Sequence, residues 1–232
     1  MIRENYASVL ELVRSAAVRS GRAPESVKIL AVSKTRPVAM VREAFEAGLV
    51  MFGENYLQEA RDKLALLDDM RSRSKWHFIG HLQRNKSRAA VNLFDCIETV
   101  ESRKLLAAID RHAADAGKVQ SILVQVNIGA DPAKSGLAGE EVEGFLEDCA
   151  ECGNVSVDGL MTIPPFVENP EDNRMNFRKM HSLFREMRAR FAGRLPLDEL
   201  SMGMSRDFRV AIEEGATIVR IGTMLFGPRN VS

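Results

Sequence analysis

The chain is short of the features that mark several function classes. It has three cysteines in 232 residues, Cys96, Cys149 and Cys152, too few for a disulfide framework. Net charge is also missing: 32 basic residues balance 32 acidic ones, which removes any global pull toward nucleic acid or an anionic membrane. No apolar run approaches the ~20 residues that span a bilayer. Aromatics are scarce, with one tryptophan and two tyrosines. The basic stretch "RNKSR" (84–88) has none interleaved, so it reads as a solvated helix face. No G-x-G-x-x-G follows the first strand-like segment, and no low-complexity linker divides the chain. What remains is an ordinary globular composition, 45% hydrophobic and 28% charged.

The N-terminus is not a leader by composition. Ile2, Tyr6, Val9, Val13 and Ala17 fall at helical spacing, and Glu4 and Glu11 argue against an acid-poor presequence. A leading helix over residues 1–22, ended by Gly21 and Pro24, is expected in a cytoplasmic protein. Cys149 and Cys152 form a C-x-x-C, but it closes a predicted helix, where the dipole raises a thiol pKa rather than lowering it. A zinc ribbon needs a second pair, and Cys96 stands alone. His77 and His81 lie four apart on a predicted strand, ~13 Å along it, too far for one metal ion. No metal site is expected.

From residue 27 the hydrophobic period switches repeatedly between two and 3.6. Predicted strands are 27–33, 50–55, 76–81, 95–100, 120–128, 155–163 and 199–205, with a last strand and turn over 217–227. Predicted helices lie at 38–48, 56–70, 83–93, 102–117, 138–153, within 171–192, and at 206–215. Eight strand–helix alternations with the final helix short or missing predict one domain over 1–232, a single-domain (β/α)8 barrel. The proline-rich loop "TIPPFVENPEDN" (162–173) is the one long connection and reads as a connector or a lid.

Such barrels bind ligands at the C-terminal ends of their strands, with phosphates in the loops after the seventh and eighth. "SMGMS" (201–205) and "RIGT" (220–223) fall at those places. Gly203 and Gly222 permit close backbone approach, while Ser205 and Thr223 offer hydroxyls. Closing the barrel brings the end of the first strand, with Lys34 in "LAVSKTRP", within ~10 Å of the seventh. A lysine amine that meets an aldehyde forms a Schiff base, and the phosphorylated aldehyde that fits is pyridoxal 5′-phosphate (PLP). Arg220, within the apolar "TIVRIG", needs an acceptor: a pyridine nitrogen, a phosphate, or an acidic rim residue in a structural ion pair.

With these residues in place, the chain resembles the pyridoxal phosphate homeostasis proteins, the YggS/PROSC family. The resemblance rests on "LAVSKTRP", "FGENYLQEA", "WHFIGHLQRNK", "GLMTI", "LSMGMSRDFRVAIEEGATIVRIGT" and "LFG", from residue 30 to 227. It implies a barrel like the N-terminal domain of alanine racemase, with PLP held as an internal aldimine on Lys34. It further implies that Ser205, Gly222 and Thr223 hold the phosphate with the backbone around Met202 and Gly203. Arg220 would face the pyridine nitrogen, and Asn55 would line the ring. The family is regarded as cofactor carriers that buffer free PLP, with no established reaction.

Two other readings stand beside the carrier. One is a PLP-dependent amino-acid racemase, the other a barrel for a different phosphorylated metabolite. An arginine at the pyridine nitrogen disfavours the protonated ring that stabilises carbanions, although the resembling racemases also carry one. Racemisation also needs a second acid–base group opposite Lys34. The tyrosines are Tyr6 and Tyr56; Tyr56 is a local substitute for that group or, on the alternative reading, packs a helix start. The expectation is therefore a monomeric PLP carrier without turnover, with PLP-dependent apo-enzymes as candidate recipients and neither nucleic acid nor membrane as partner.

Overall fold

Val-, Ile- and Leu-rich runs bounded by glycine, proline and charged residues fold as short parallel strands, each followed by a helix whose apolar stripe covers it. The computed structural model describes residues 1–228. The strands are β1 (Lys28–Val32), β2 (Met51–Glu54), β3 (Lys75–Phe78), β4 (Cys96–Val100), β5 (Gln120–Val126), β6 (Val155–Thr162), β7 (Glu199–Met204) and β8 (Ile218–Ile221). They pair in sequence order as a closed parallel barrel. Closure aligns Leu30 of β1 with Arg220 of β8, so the segment leaving β1 rises beside the one leaving β8.

Before the barrel comes α1 (Ile2–Arg19). Between strands lie α2 (Val38–Glu46), the pair α3 (Leu57–Leu66) and α4 (Asp68–Arg71), α5 (Ser87–Leu93), α6 (Arg103–Asp115) and α7 (Val142–Ala150). Then come α8 (Arg174–Arg190), α9 (Phe208–Glu213) and α10 (Thr223–Phe226). The chain is thus a single-domain (β/α)8 barrel with an extra N-terminal helix. That helix buries Ile2, Val9, Val13 and Ala17 and packs on α2, α9 and α10. Asn5 Nδ2 ties it to the Leu225 carbonyl at 2.9 Å.

The main core lies between strands and helices. In α8, Phe177, Met180, Phe184 and Met187 form the buried stripe at spacings of three and four. Inside the barrel the apolar fill is small: Cys96, Leu123 and Met161, with Ile163 against them. Charged groups occupy the layer beside it.

The helix predicted over 56–70 is two. Buried Leu64, Leu67 and Met70 fall every third residue, and Leu67 N–H and Met70 N–H bond three residues back. That tighter winding aligns the three on one face and interrupts the α-helix at Leu67. The helices predicted to begin at 83 and 138 begin instead with short 3₁₀ turns at 84–86 and 139–141. Among the described residues no helix is long and apolar enough to cross a membrane, and no cluster of three or more metal-binding side chains occurs.

Candidate functional site

A cavity of about 500 Å³ opens at the C-terminal ends of the strands. Lys34, Asn55, Ser205, Arg220, Gly222 and Thr223 all line it. Met202 does not: strand alternation turns Ser201 inward and Met202 outward, where its side chain is fully buried in the outer core. No part of Met202 is among the groups that line the cavity.

Lys34 stands two residues beyond β1. Arg36 N–H donates to the Ser33 carbonyl at 3.1 Å, which closes a four-residue turn with Lys34 at its second position. Thr35 follows with φ 60, the left-handed region that a type II turn requires there. Asn55 leaves β2 at the same level. Its Oδ1 is buried and has no hydrogen-bond partner. Gly80 lies against it so closely that an added Cβ would come 2.2 Å from the Asn55 carbonyl oxygen.

The two phosphate-type loops touch. Gly222 N–H donates to Ser205 Oγ at 3.2 Å. Gly203, at φ 88, is the next-to-last residue of β7, where the pairing with β8 shifts register. Asp207, a residue the sequence did not single out, fastens this loop: its Oδ1 accepts the Met204 N–H at 2.7 Å, and its Oδ2 lies 3.4 Å from Asn173 Nδ2. Thr223 is exposed at the start of α10.

Arg220 is buried beneath the cavity floor. It donates to Ser201 Oγ and to the Thr162 carbonyl, both at 2.7 Å, and lies 4.0 Å from Glu98. Its acidic partner thus comes from inside the barrel rather than from the rim. The Ser201 hydroxyl donates a hydrogen bond to Glu98 Oε2 at 2.7 Å, and Glu98 Oε1 lies 2.7 Å from His77 Nδ1. Burial disfavours a charged imidazole, but Cys96 and Glu98 outweigh it and raise the His77 pKa to about 10. Burial likewise opposes a charged Glu98, yet His77, Arg220 and Ser201 together hold its carboxyl below its ordinary value. The Glu98 carboxyl thus lies between the His77 imidazole and the Arg220 guanidinium in one buried chain. His77 lines the barrel as expected; His81 is at the rim, 3.6 Å from Glu101.

The loop over 162–173 forms one wall, from Ile163 to Val167 and on to Asn173. Lys134, after β5, anchors it by donating to the Ile163 carbonyl at 3.3 Å and to the Pro164 carbonyl. Phe166 at its tip is 76% exposed, and the Arg206 guanidinium stacks 4.8 Å above its ring. Tyr56 does not line the cavity, which corrects the acid–base reading; it stands at the start of α3, where its carbonyl accepts the Ala60 N–H at 2.9 Å, with its side chain more than half exposed. The C-x-x-C thiols lie at and just past the end of α7, and burial, with nearby carboxylates at Cys152, raises both pKa values.

Residues 11–230 match the family described as alanine racemase, N-terminal domain. The pyridoxal phosphate homeostasis protein of Aquifex aeolicus is 44% identical over 226 residues, covering 97% of each chain. PipY of Synechococcus elongatus, solved with PLP bound, is similar at 38% identity and a TM-score of 0.85, over 98% of this chain and 100% of that one. The alanine racemase of Streptomyces coelicolor shares the fold alone, at 20% identity and a TM-score of 0.72, over 58% of its own length. The chain belongs to the alanine racemase N-terminal domain family and, within it, to the pyridoxal phosphate homeostasis proteins.

Proposed function

We propose that the protein binds PLP in this cavity and serves its homeostasis, holding and handing on the cofactor rather than turning over an amino acid. The observation that carries the reading is that Lys34, Arg220 and the joined Ser205–Gly222 loops line one cavity. The PLP-bound relative, alike over nearly the whole chain, supports it.

The residues fit the group. The buried, unpartnered Asn55 Oδ1 awaits a donor, a buried polar atom being costly without one. Ser205, Gly222 and Thr223 suit a phosphate. PLP supplies an aldehyde that a lysine can bond and a ring that withdraws electrons. Lys34 would provide the amine that bonds that aldehyde. Lys134 also lines the cavity, but its ammonium is held by two loop carbonyls. Arg220, kept charged beside Glu98, disfavours protonation of a pyridine nitrogen facing it. That arrangement, and a Tyr56 outside the cavity, favour the carrier over the racemase. A cytoplasmic location is part of the proposal.

Borohydride reduction of PLP-treated protein followed by peptide mass spectrometry tests it. The adduct is expected on Lys34 and absent from Lys34→Ala. An adduct of equal yield on Lys134 or Lys86 refutes the assignment.

A further inference from the structure

Lysine is rarely buried unless paired, and Lys63 on α3 is 5% exposed. Its Nζ lies 2.7 Å from Glu54 Oε1 and 2.7 Å from Glu59 Oε1, and donates to the Ser33 carbonyl at 2.6 Å. These acceptors lead to Lys34 from both sides. Ser33 precedes it, with its N–H on the Gly53 carbonyl at 3.0 Å and its Oγ on Glu54 Oε1 at 2.8 Å. Thr35 follows it, with its N–H on Glu59 Oε1 at 2.5 Å. Thr35 is a β-branched residue in the left-handed region, a strained state that persists only where its surroundings over-determine it.

We propose that Lys63 is a positioning residue for Lys34, acting through Glu54, Glu59 and the Ser33 carbonyl to clamp the turn that presents the Lys34 amine to the cavity. The inference rests on the PLP reading above. A methionine of similar length could fill the same space, but it could not hold two carboxylates and a carbonyl together. Burial raises the Glu54 carboxyl pKa, and Lys63 is the first group that opposes the rise. Without that ammonium the carboxylates lose their counter-charge and Ser33 loses one of its two donors. The groups proposed for the phosphate lie at the ends of β7 and β8, away from Glu54 and Glu59, so the clamp serves bond formation at Lys34 rather than the grip on the phosphate.

The test compares two ligands on purified full-length protein. PLP bonds the amine; pyridoxine 5′-phosphate has the same phosphate and ring nitrogen but an alcohol in place of the aldehyde. The variants are Lys63→Met and Glu59→Ala, the second at a carboxylate that is partly exposed and so a lesser burden on folding. PLP affinity, followed by visible absorbance, is expected to fall about tenfold or more, while pyridoxine 5′-phosphate affinity stays within about twofold. Should Lys63→Met not fold, Glu59→Ala decides alone. A ratio of PLP to pyridoxine 5′-phosphate affinity that is unchanged from wild type in the folded variants, whether neither ligand or both lose affinity, overturns the clamp. A wild-type protein that binds both ligands equally and traps nothing on Lys34 overturns the parent reading, and the clamp with it.

Discussion

At Ser205 one hydroxyl oxygen accepts the Gly222 N–H, so the loops after β7 and β8 are joined before any ligand arrives. A phosphate would add an acceptor for the Ser205 proton and for Thr223. Losing one hydrogen bond to a charged group costs ~1.5–3 kcal/mol. Ser205→Ala and Thr223→Val are therefore expected to weaken PLP by that amount each in calorimetric titration, while pyridoxal, which lacks the phosphate, binds almost unchanged. Equal losses for both ligands would put the phosphate elsewhere. These residues were legible because strand ends and glycine turns fix their place along the chain. Glu98, Ser201 and Asp207 were not, since their roles depend on partners across the barrel that spacing does not bring together. Lys63 was half legible: Glu59 and Lys63 show a helical i, i+4 pair, but nothing in that pattern says the pair is buried.

Between elements, the junction of β7 and α9 sets the phosphate loop. Gly203 has φ 88, and a Cβ there would lie 2.5 Å from Ala211 Cβ and 3.0 Å from Phe208 Cα, both in or at the start of α9. An alanine meets the left-handed penalty and an overpacked contact together, about 2–4 kcal/mol in all. Gly203→Ala is expected to lose that much stability in urea unfolding and to weaken PLP as α9 is pushed outward. A loss below about 0.5 kcal/mol would mean that the helix end moves freely. Elements were the most readable level of the sequence. Each strand is an apolar run too short for a helix, and each helix carries a 3.6-residue stripe. Boundaries failed where local winding answered to packing, as at Leu64, Leu67 and Met70. The 162–173 loop has no period at all, so its place as a cavity wall, pinned by Lys134, came only with the folded chain.

The buried charges inside the barrel make stability a property of the whole molecule and of pH. The His77 pKa is raised to about 10 in the folded chain, against ~6.5 when unfolded. A raised pKa contributes stability that is fully present below the unfolded value and lost as pH rises through the folded one. Between those limits the folded chain carries one proton more than the unfolded chain, so stability falls with pH. The slope approaches ~1.4 kcal/mol per pH unit, or roughly 2 kcal/mol from pH 7 to 8.5. Glu98 does not interfere in this window, since its lowered pKa contributes stability lost only in acid. His181, whose pKa is lowered chiefly by burial, acts below neutrality too. Burial raises the pKa values of the Cys96, Cys149 and Cys152 thiols, so they stay protonated in the fold while unfolded thiols ionise from ~8.5; they add to the decline only at the top of the window. Urea unfolding of the ligand-free protein should show the decline in the wild type and a much flatter line in His77→Gln, which keeps a polar partner for Glu98 but carries no proton to lose. The variant should be less stable at pH 7 and closest to the wild type near pH 8.5. Parallel lines would mean that His77 is neutral in the folded barrel, leaving Glu98 with Arg220 and Ser201 as its partners.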